Sequence, residues 1–292
     1  MLPFLIGCDG GGTGCRVAIA DVSGKLLAEG VGGPANATSD FDLAIRNVRA
    51  ALDVAAGKLD LTGPDLAGAW VHVGLAGVLA SDSAARVAAA LPFTNITVSE
   101  DRLIALEGAL GADDGVLIAI GTGTIIAGRR EAILSHIGGW GLQVSDQASG
   151  AWLGRAVLER VLLCHDGLVP PCDLTRSIFA GFNNDPAQIV GFAATARPAD
   201  YAGFAPAVVA AAKAADAGGV ALMQRGADYL TSALGVLGLR PGDRLCLTGG
   251  IGPHYAGFLS DQARAALHPP RGSALQGALQ LAKAAYARGQ GG

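Results

Sequence analysis

Twice in this chain an apolar run breaks off in glycines and a second β-forming run follows at once. The first instance is Ile6-Gly7-Cys8-Asp9-Gly10-Gly11-Gly12-Thr13, and the second is Ile118-Ala119-Ile120-Gly121-Thr122-Gly123-Thr124. A short apolar run of this kind reads as a buried strand. Glycines at its end let the backbone turn tightly and leave no Cβ to keep a ligand away. The runs that follow, Arg16 to Asp21 and Thr124 to Gly128, are again β-forming, so each glycine stretch opens a hairpin. A G-x-G-x-x-G dinucleotide fingerprint and a Walker A loop both open a helix, and the terminal Lys of the latter is missing here, so both are excluded.

Around each glycine stretch the same order of elements is expected. In the first half, strands at Phe4 to Asp9, Arg16 to Asp21 and Leu26 to Val31 precede a helix that Asp40 caps and that runs to about Lys58. A strand at Ala69 to Val73, a helix from Ser81 to about Leu91, a strand at Asn95 to Val98 and a helix at Asp101 to Leu110 complete it. The second half starts with strands at Gly115 to Ile120, Thr124 to Gly128 and Ala132 to Ile137, then a helix from about Asp146 to Cys164. An Ala-rich helical insertion fills Leu174 to Leu237, with breaks near Asn183-Asn184, Arg197-Pro198 and Gly218-Gly219. A last strand, Arg244 to Leu247, ends in Thr248-Gly249-Gly250, and a final helix covers Gly272 to Ala287. The fold class expected is therefore α/β, with two β-β-β-α-β-α domains around a central cleft and a helical insertion in the second. The domains are placed at 1–107 with 273–292, the terminal helix packing back, and at 108–272. No linker rich in Pro, Ser or charge separates them, which predicts a hinge between them.

Bulk composition narrows the partners. With a net charge of −4 and no long run of Lys or Arg, nucleic acid is not expected. No segment has the roughly 20 uninterrupted apolar residues of a membrane span. The opening Met1 to Ile6 lacks a basic stretch and reads as a strand and not a signal peptide. The 5 cysteines form no C-x-x-C pair, which suits a reducing cytosol, with most of them small buried hydrophobes.

Four backbone N–H groups from Gly10 to Thr13 are candidates for an anion-binding nest, and Asp9 at the strand end is placed to hold Mg²⁺ through water. Asp101 follows a strand and opens a helix. Its carboxylate is either a general base or a helix-start residue favoured by the macrodipole, with Glu100 as a competing acid. His136 beside a strand end reads as structural, Arg129-Arg130 as a hairpin tip in solvent, and Asp113-Asp114 as a turn.

The segment Gly7 to Thr13 resembles the first phosphate motif of the BadF/BadG/BcrA/BcrD ATPase family, part of the actin-like ATPase superfamily. That family includes N-acetylglucosamine kinases and glucosamine kinases. Gly32-Gly33-Pro34-Ala35-Asn36 resembles its sugar loop, Gly74-Leu75-Ala76-Gly77 its strand-end turn, and Gly121-Thr122-Gly123-Thr124 its second phosphate loop. Gly138-Gly139-Trp140-Gly141 through Asp146 and Ser149-Gly150 resembles the signature beside the sugar, and Thr248-Gly249-Gly250-Ile251 the adenosine motif. The resemblance implies ribonuclease-H-like domains, ATP and Mg²⁺ as cofactors, an amino sugar as acceptor, a cytoplasmic homodimer and Asp101 as the catalytic aspartate.

It further implies ATP contacts at Gly10, Gly11, Gly12, Thr13, Gly121, Gly123, Thr124, Gly249 and Gly250. Sugar contacts fall on Asn36, Thr122, Gly139, Trp140 and Asp146. Asn36 offers both a donor and an acceptor for vicinal hydroxyls, its other reading being a turn residue after Pro34. Asp146 is read as a sugar acid, as an N-cap for the helix bearing Trp152, or as both. Trp140 walls the pocket or packs in the core. The chain departs from the family at Ser145-Asp146-Gln147-Ala148-Ser149, where Gly-Asp-Glu-Gly-Ser is usual. Gln147 removes a carboxylate partner for a glucosamine ammonium and tilts the reading toward the N-acetyl sugar or toward a relaxed substrate choice. Two other functions share the superfamily. One is an activator of a radical dehydratase, whose iron–sulfur cysteines Cys164 and Cys172 do not match, and the other is a catalytically silent nucleotide- or sugar-binding regulator.

Overall fold

The computed structural model describes residues 3–78 and 80–290. Met1 and Leu2, counted in the opening apolar run, lie outside them. The chain divides into two compact units, Met1–Asp113 with Pro270–Gly292, and Asp114–Pro269.

In the first unit, strands β1 (Leu5–Gly10), β2 (Cys15–Ala20) and β3 (Leu26–Gly32) form an antiparallel meander. Helices α1 (Phe41–Gly57) and α2 (Gly63–Leu66), strand β4 (Trp70–Leu75), α3 (Ser81–Ala90), β5 (Asn95–Glu100) and α4 (Asp101–Leu110) follow. The sheet order is β3-β2-β1-β4-β5, and the pairings of β1 with β4 and of β4 with β5 are parallel. Strand alternation divides the core. Ile6, Cys8, Val17 and Ile19 face Ile45, Val48 and Leu52 of α1, while Leu5, Ala18 and Ala20 face Leu275, Leu279 and Ala282 on the last helix. That helix, α12 (Ala274–Gln290), crosses α4 at backbone distance, because a Cβ on Gly277 would lie 2.0 Å from the Ile104 carbonyl. Arg271 also pairs with Asp113. These contacts keep the end of α4 and the residues just before α12 in the first unit, so the seams fall at 113/114 and 269/270 and not at 107/108 and 272/273.

In the second unit, β6 (Gly115–Ile120), β7 (Thr124–Arg130), β8 (Ile133–Ile137) and β9 (Arg244–Thr248) form a sheet of order β8-β7-β6-β9. A lone parallel bridge, Leu245 to Leu267, stands where a fifth strand would pair. Between β8 and β9 lie α5 (Gly150–His165), α6 (Asp173–Gly181), α7 (Pro186–Thr195), α8 (Pro198–Ala202), α9 (Ala205–Lys213) and α10 (Ala217–Val236), and after β9 comes α11 (Asp261–Ala265).

Three details differ from expectation. Helix α5 starts at Gly150 and not at Asp146, because Asp146 and Ala148 adopt left-handed φ of 60° and 68° and Ser149 caps the Trp152 N–H. The third break in the insertion is at Ala215-Asp216. Gly218 and Gly219 are already helical, their N–H groups accepted by Asp216 Oδ1. Arg130 is not a solvent-facing tip: it donates to Asp243 Oδ2 at 2.6 Å, and Glu131-Ala132 make the turn. Asp114 accepts the Glu131 N–H there, so the acidic pair Asp113-Asp114 is doubly engaged. No single helix among the described residues is long and apolar enough to cross a membrane.

Candidate functional site

In the first unit the carboxyl ends of β1, β4 and β5 share one edge of the sheet, where open α/β sheets carry their ligands. Backbone hydrogen bonds tie three loops together there. The Ala76 N–H donates to Gly10 O at 2.8 Å, the Ala35 N–H to Gly11 O at 2.8 Å, and the Ala37 N–H to Ala76 O at 2.9 Å. The glycine loop, the 32–36 loop and the 74–77 turn are therefore one assembly.

Within it the glycines differ in role. A Cβ on Gly10 would lie 2.3 Å from a methyl of the buried Leu75, so packing alone already favours glycine there. A Cβ on Gly12 would meet nothing within 4 Å. Gly12 and Thr13 are exposed, whereas the Gly11 N–H donates to Gly14 O at 2.9 Å. The nest expected from Gly10 to Thr13 is thus narrower, with Gly12 and Thr13 at its mouth.

Asp9 accepts from Arg16 Nη2 at 2.7 Å, a contact set by their cross-strand pairing in β1 and β2. Its carboxylate fits a magnesium ion held through water, since such an ion takes one or two carboxylates and fills its other positions with water and phosphate oxygens. No cluster of three His, Cys, Asp or Glu side chains suited to a metal occurs among the described residues. Asn36 spends its Oδ1 on the Thr38 and Ser39 N–H groups, both at 3.0 Å. That is the turn role, and it leaves the amide nitrogen as the group able to meet a hydroxyl.

Asp101 stands at the β5–α4 junction, the last point before the chain turns back under the sheet. Burial pushes its carboxyl up to about 6, against the pull of the adjacent Arg102, and the charges of Asp9 and Glu100 raise it further. Glu100, the competing acid, pairs with Arg102 Nε at 3.1 Å. Of the two, Asp101 is the carboxylate whose basicity burial raises, even against the charge of Arg102.

In the second unit the glycine loop is fastened to the start of α5. The Gly150 N–H donates to Gly121 O at 2.8 Å and the Ala151 N–H to Thr122 O at 3.2 Å. Thr124 is buried, and its hydroxyl donates to Gln147 O at 2.9 Å, so its side chain holds the loop in place. Asp146 accepts the Gly141 N–H at 3.2 Å, and its Oδ2 lies 3.1 Å from the position a Gly123 Cβ would take. It joins the Gly138–Gly141 turn to the second loop, and Ser149 takes over the N-cap role.

Gly139 sits in that turn with φ 73°. Trp140 is 61% exposed, which excludes core packing, and its ring lies 5.8 Å from that of His136. Gly249, at φ 79°, is pressed against the Ile120 carbonyl, where a Cβ would come within 2.2 Å. Gly250 instead opens onto a cavity of ≈ 280 Å³ lined by Val209, Lys213, Ile251 and His254.

Two residues at these loops carried no signal in the sequence reading. One is Arg16, legible only through strand pairing with Asp9. The other is Tyr229 of α10, whose hydroxyl fills the space a Gly138 Cβ would take and whose pKa is raised by burial and by the Asp146 charge.

Comparison with known proteins shows the family and the fold. A sequence model of the BadF/BadG/BcrA/BcrD ATPase family matches residues 6–264. The chain is similar to glucosamine kinase GspK of Vibrio cholerae, at 31% identity over 96% of this chain and 95% of that protein. A crystal structure provisionally named an N-acetylglucosamine kinase, from Chromobacterium violaceum, superposes with a TM-score of 0.88 at 29% identity, covering 96% of this chain and 99% of that one. A ROK family glucokinase from Streptomyces griseus, solved with glucose and AMPPNP, shares the fold at a TM-score of 0.59 and 17% identity, over 96% and 99% of the two chains.

Proposed function

The chain belongs to the BadF/BadG/BcrA/BcrD ATPase family, and from that premise we propose a hexosamine kinase that transfers the γ-phosphoryl group of ATP to the 6-hydroxyl of N-acetylglucosamine or glucosamine. It is a phosphotransferase with an alcohol acceptor. The observation that carries the acceptor chemistry is Asp101, a carboxylate with a pKa raised to about 6 on the same sheet edge as the first glycine loop. A sugar hydroxyl is a weak nucleophile. A carboxylate more basic than a solvated one, yet still ionised at neutral pH, is suited to take its proton as the phosphoryl group arrives.

The N–H groups of Gly12 and Thr13 take phosphate oxygens, and Asp9 holds magnesium through water. When bound, that ion neutralises charge on the transferring phosphate. Gly121 and Gly123 supply further backbone approach. The cavity at Gly250 suits an adenosine, with Ile251 and Val209 as its apolar lining. For the sugar, the first unit offers the Asn36 amide nitrogen as a donor. The second unit, taken by itself, offers the Asp146 carboxylate as an acceptor, with Thr122, Gly139 and the exposed Trp140 as its further candidates. Gln147 turns its Oε1 to the Ser145 hydroxyl at 3.3 Å. It therefore offers an N–H, which favours an acetamido carbonyl over an ammonium group.

Asp101→Asn tests the reading. Coupled ADP release is measured with N-acetylglucosamine, glucosamine, N-acetylmannosamine and glucose as acceptors. Turnover is expected to fall about 10²–10⁴-fold while sugar affinity is kept. Activity near that of the parent protein would remove Asp101 from the role of base.

A further inference from the structure

We propose that His72 is a positioning residue for Asp101, acting through Ser99. The hydrogen-bonded row Thr97–His72–Ser99 then sets the peptide from which the carboxylate springs. The proposal rests on the reading of Asp101 as the base.

Strands β4 and β5 run parallel, with His72 opposite Thr97 and Gly74 opposite Ser99. Alternation puts these four residues on one face, while Val71, Val73 and Leu75 turn to the opposite core with Ile96 and Val98. Gly74 has no Cβ because Ile104 of α4 presses on it, so the His72 face is the one that α4 covers. An imidazole only 5% exposed beneath an apolar helix is costly unless both ring nitrogens are bonded. Both are: Nδ1 lies 2.8 Å from Thr97 Oγ1 and Nε2 lies 3.0 Å from Ser99 Oγ.

The proton count gives the row a direction. Ser99 has one hydroxyl proton, and it is directed at Glu100 O at 2.9 Å. Giving that proton to Glu100 O makes Ser99 Oγ the acceptor from His72, which assigns the ring proton to Nε2. Nδ1 is then bare and accepts from the Thr97 hydroxyl, whose other acceptor, Val71 O, is farther away at 3.3 Å. Burial lowers the His72 pKa to about 4, so the ring is neutral at physiological pH, as this single tautomer requires.

The row ends at a position of consequence. Glu100 O belongs to the peptide whose nitrogen is that of Asp101. There the chain leaves extended geometry, with Glu100 at φ −65° and ψ 156°, and enters α4 with no side-chain cap. The Glu100 side chain is engaged elsewhere, on Arg102. The Ser99 hydroxyl is thus the side-chain group that fixes the tilt of this peptide, and His72 fixes the hydroxyl. A histidine serving only the core would need two partners. It would not need a chain that runs to the backbone of the reacting carboxylate.

The test compares Ser99→Ala, His72→Leu and their double variant, with Ser99→Thr as the rescue and Val73→Ala as a control for lost core packing on the other face of β4. Both single variants are expected to lose about tenfold in kcat, with KM for ATP and sugar within twofold. The double variant should be no worse than the weaker single, because both act through one path. Ser99→Thr restores turnover, and Val73→Ala lowers Tm without lowering kcat. Unchanged kcat in Ser99→Ala and His72→Leu overturns the proposal, as does a loss that Val73→Ala reproduces at equal Tm. Should a substitution prevent folding, ring ¹⁵N shifts of the parent protein decide: protonated Nε2 with bare Nδ1 supports the row, and the opposite tautomer rejects it. An inactive Asp101→Asn beside an unaffected Ser99→Ala removes the relay alone, whereas an active Asp101→Asn removes the base.

Discussion

At the first glycine loop the chain brings charge, with Asp9 in the strand end, Arg16 across the hairpin and Asp101 near enough for their fields to interact. At the second it brings anchorage. The loop carbonyls accept from the start of α5, Thr124 is turned inward onto Gln147, and Asp146 straps the neighbouring turn against Gly123. Two loops with nearly the same text thus divide their work, one toward chemistry and the other toward holding backbone in position. The lesson is that a glycine-rich stretch has two separate uses, and the neighbours of each missing Cβ tell them apart.

Paired substitutions break this division most sharply. Gly249→Ala would force a Cβ into the Ile120 carbonyl at φ 79°, costing about 3–5 kcal/mol from strain and overpacking together. Loss of the cooperative thermal transition is the expected outcome. Gly250→Ala, next door and open, should melt like the parent chain and change only the KM for ATP. The first loop repeats the contrast at smaller amplitude: Gly10→Ala should cost about 1–3 kcal/mol by overpacking Leu75. Gly12→Ala should keep its Tm and lose nucleotide affinity. Equal melting within either pair would show that packing and ligand glycines are not distinct here.

The charge gathered at the first loop carries a stability cost, and Asp101→Asn measures it. The folded carboxyl holds its proton up to about pH 6, whereas the unfolded one releases it near 3.8. Between those values the folded state binds more protons, so stability falls as pH rises through the window and stays lower above it. Asparagine carries no such penalty. The variant should gain about 2 kcal/mol at pH 7.5, or about 4–8 °C in Tm, and the gain should fade as pH drops through the window and vanish below 3.8. A variant no more stable than the parent at pH 7.5 would mean that Asp101 is not held in a desolvated place.

Much of this was legible in the residues. The strands ending in glycine, the Asp40 cap and the ordered motifs led to two mixed sheets, because apolar runs and caps are local signals. What stayed hidden depends on residues distant in the chain. Nothing near Gly10 or Gly249 marks them as packing glycines, since the atoms they make room for belong to Leu75 and Ile120. Arg130 reads locally as a hairpin tip because its partner Asp243 lies 113 residues away in the chain, and Tyr229 crowds Gly138 only through the fold of the helical insertion. Asp146 misled in the other direction. An acid before a helix suggests a cap, but the left-handed backbone at Asp146 itself and at Ala148 displaces that role to Ser149.

One of those left-handed residues gives the smallest effect and the sharpest reading of the second loop as an anchor. Ala148 keeps φ at 68°, a region that favours glycine, and is fully buried. A left-handed conformation costs a non-glycine residue roughly 1–2 kcal/mol, so something must hold it. The Tyr255 hydroxyl, donating to Ala148 O at 2.9 Å from a fully buried ring, is that clamp, and the Thr124 bond to Gln147 O secures the preceding peptide. Ala148→Gly should remove the strain, offset in part by the greater freedom of glycine in the unfolded chain, for a net gain of about 0.5–1 kcal/mol. In the Tyr255→Phe background, where the clamp is gone, the same substitution should gain more. If Ala148→Gly instead lowers Tm in both backgrounds, the methyl is packing the core under the loop, and the strain at this turn is not what the anchor sustains.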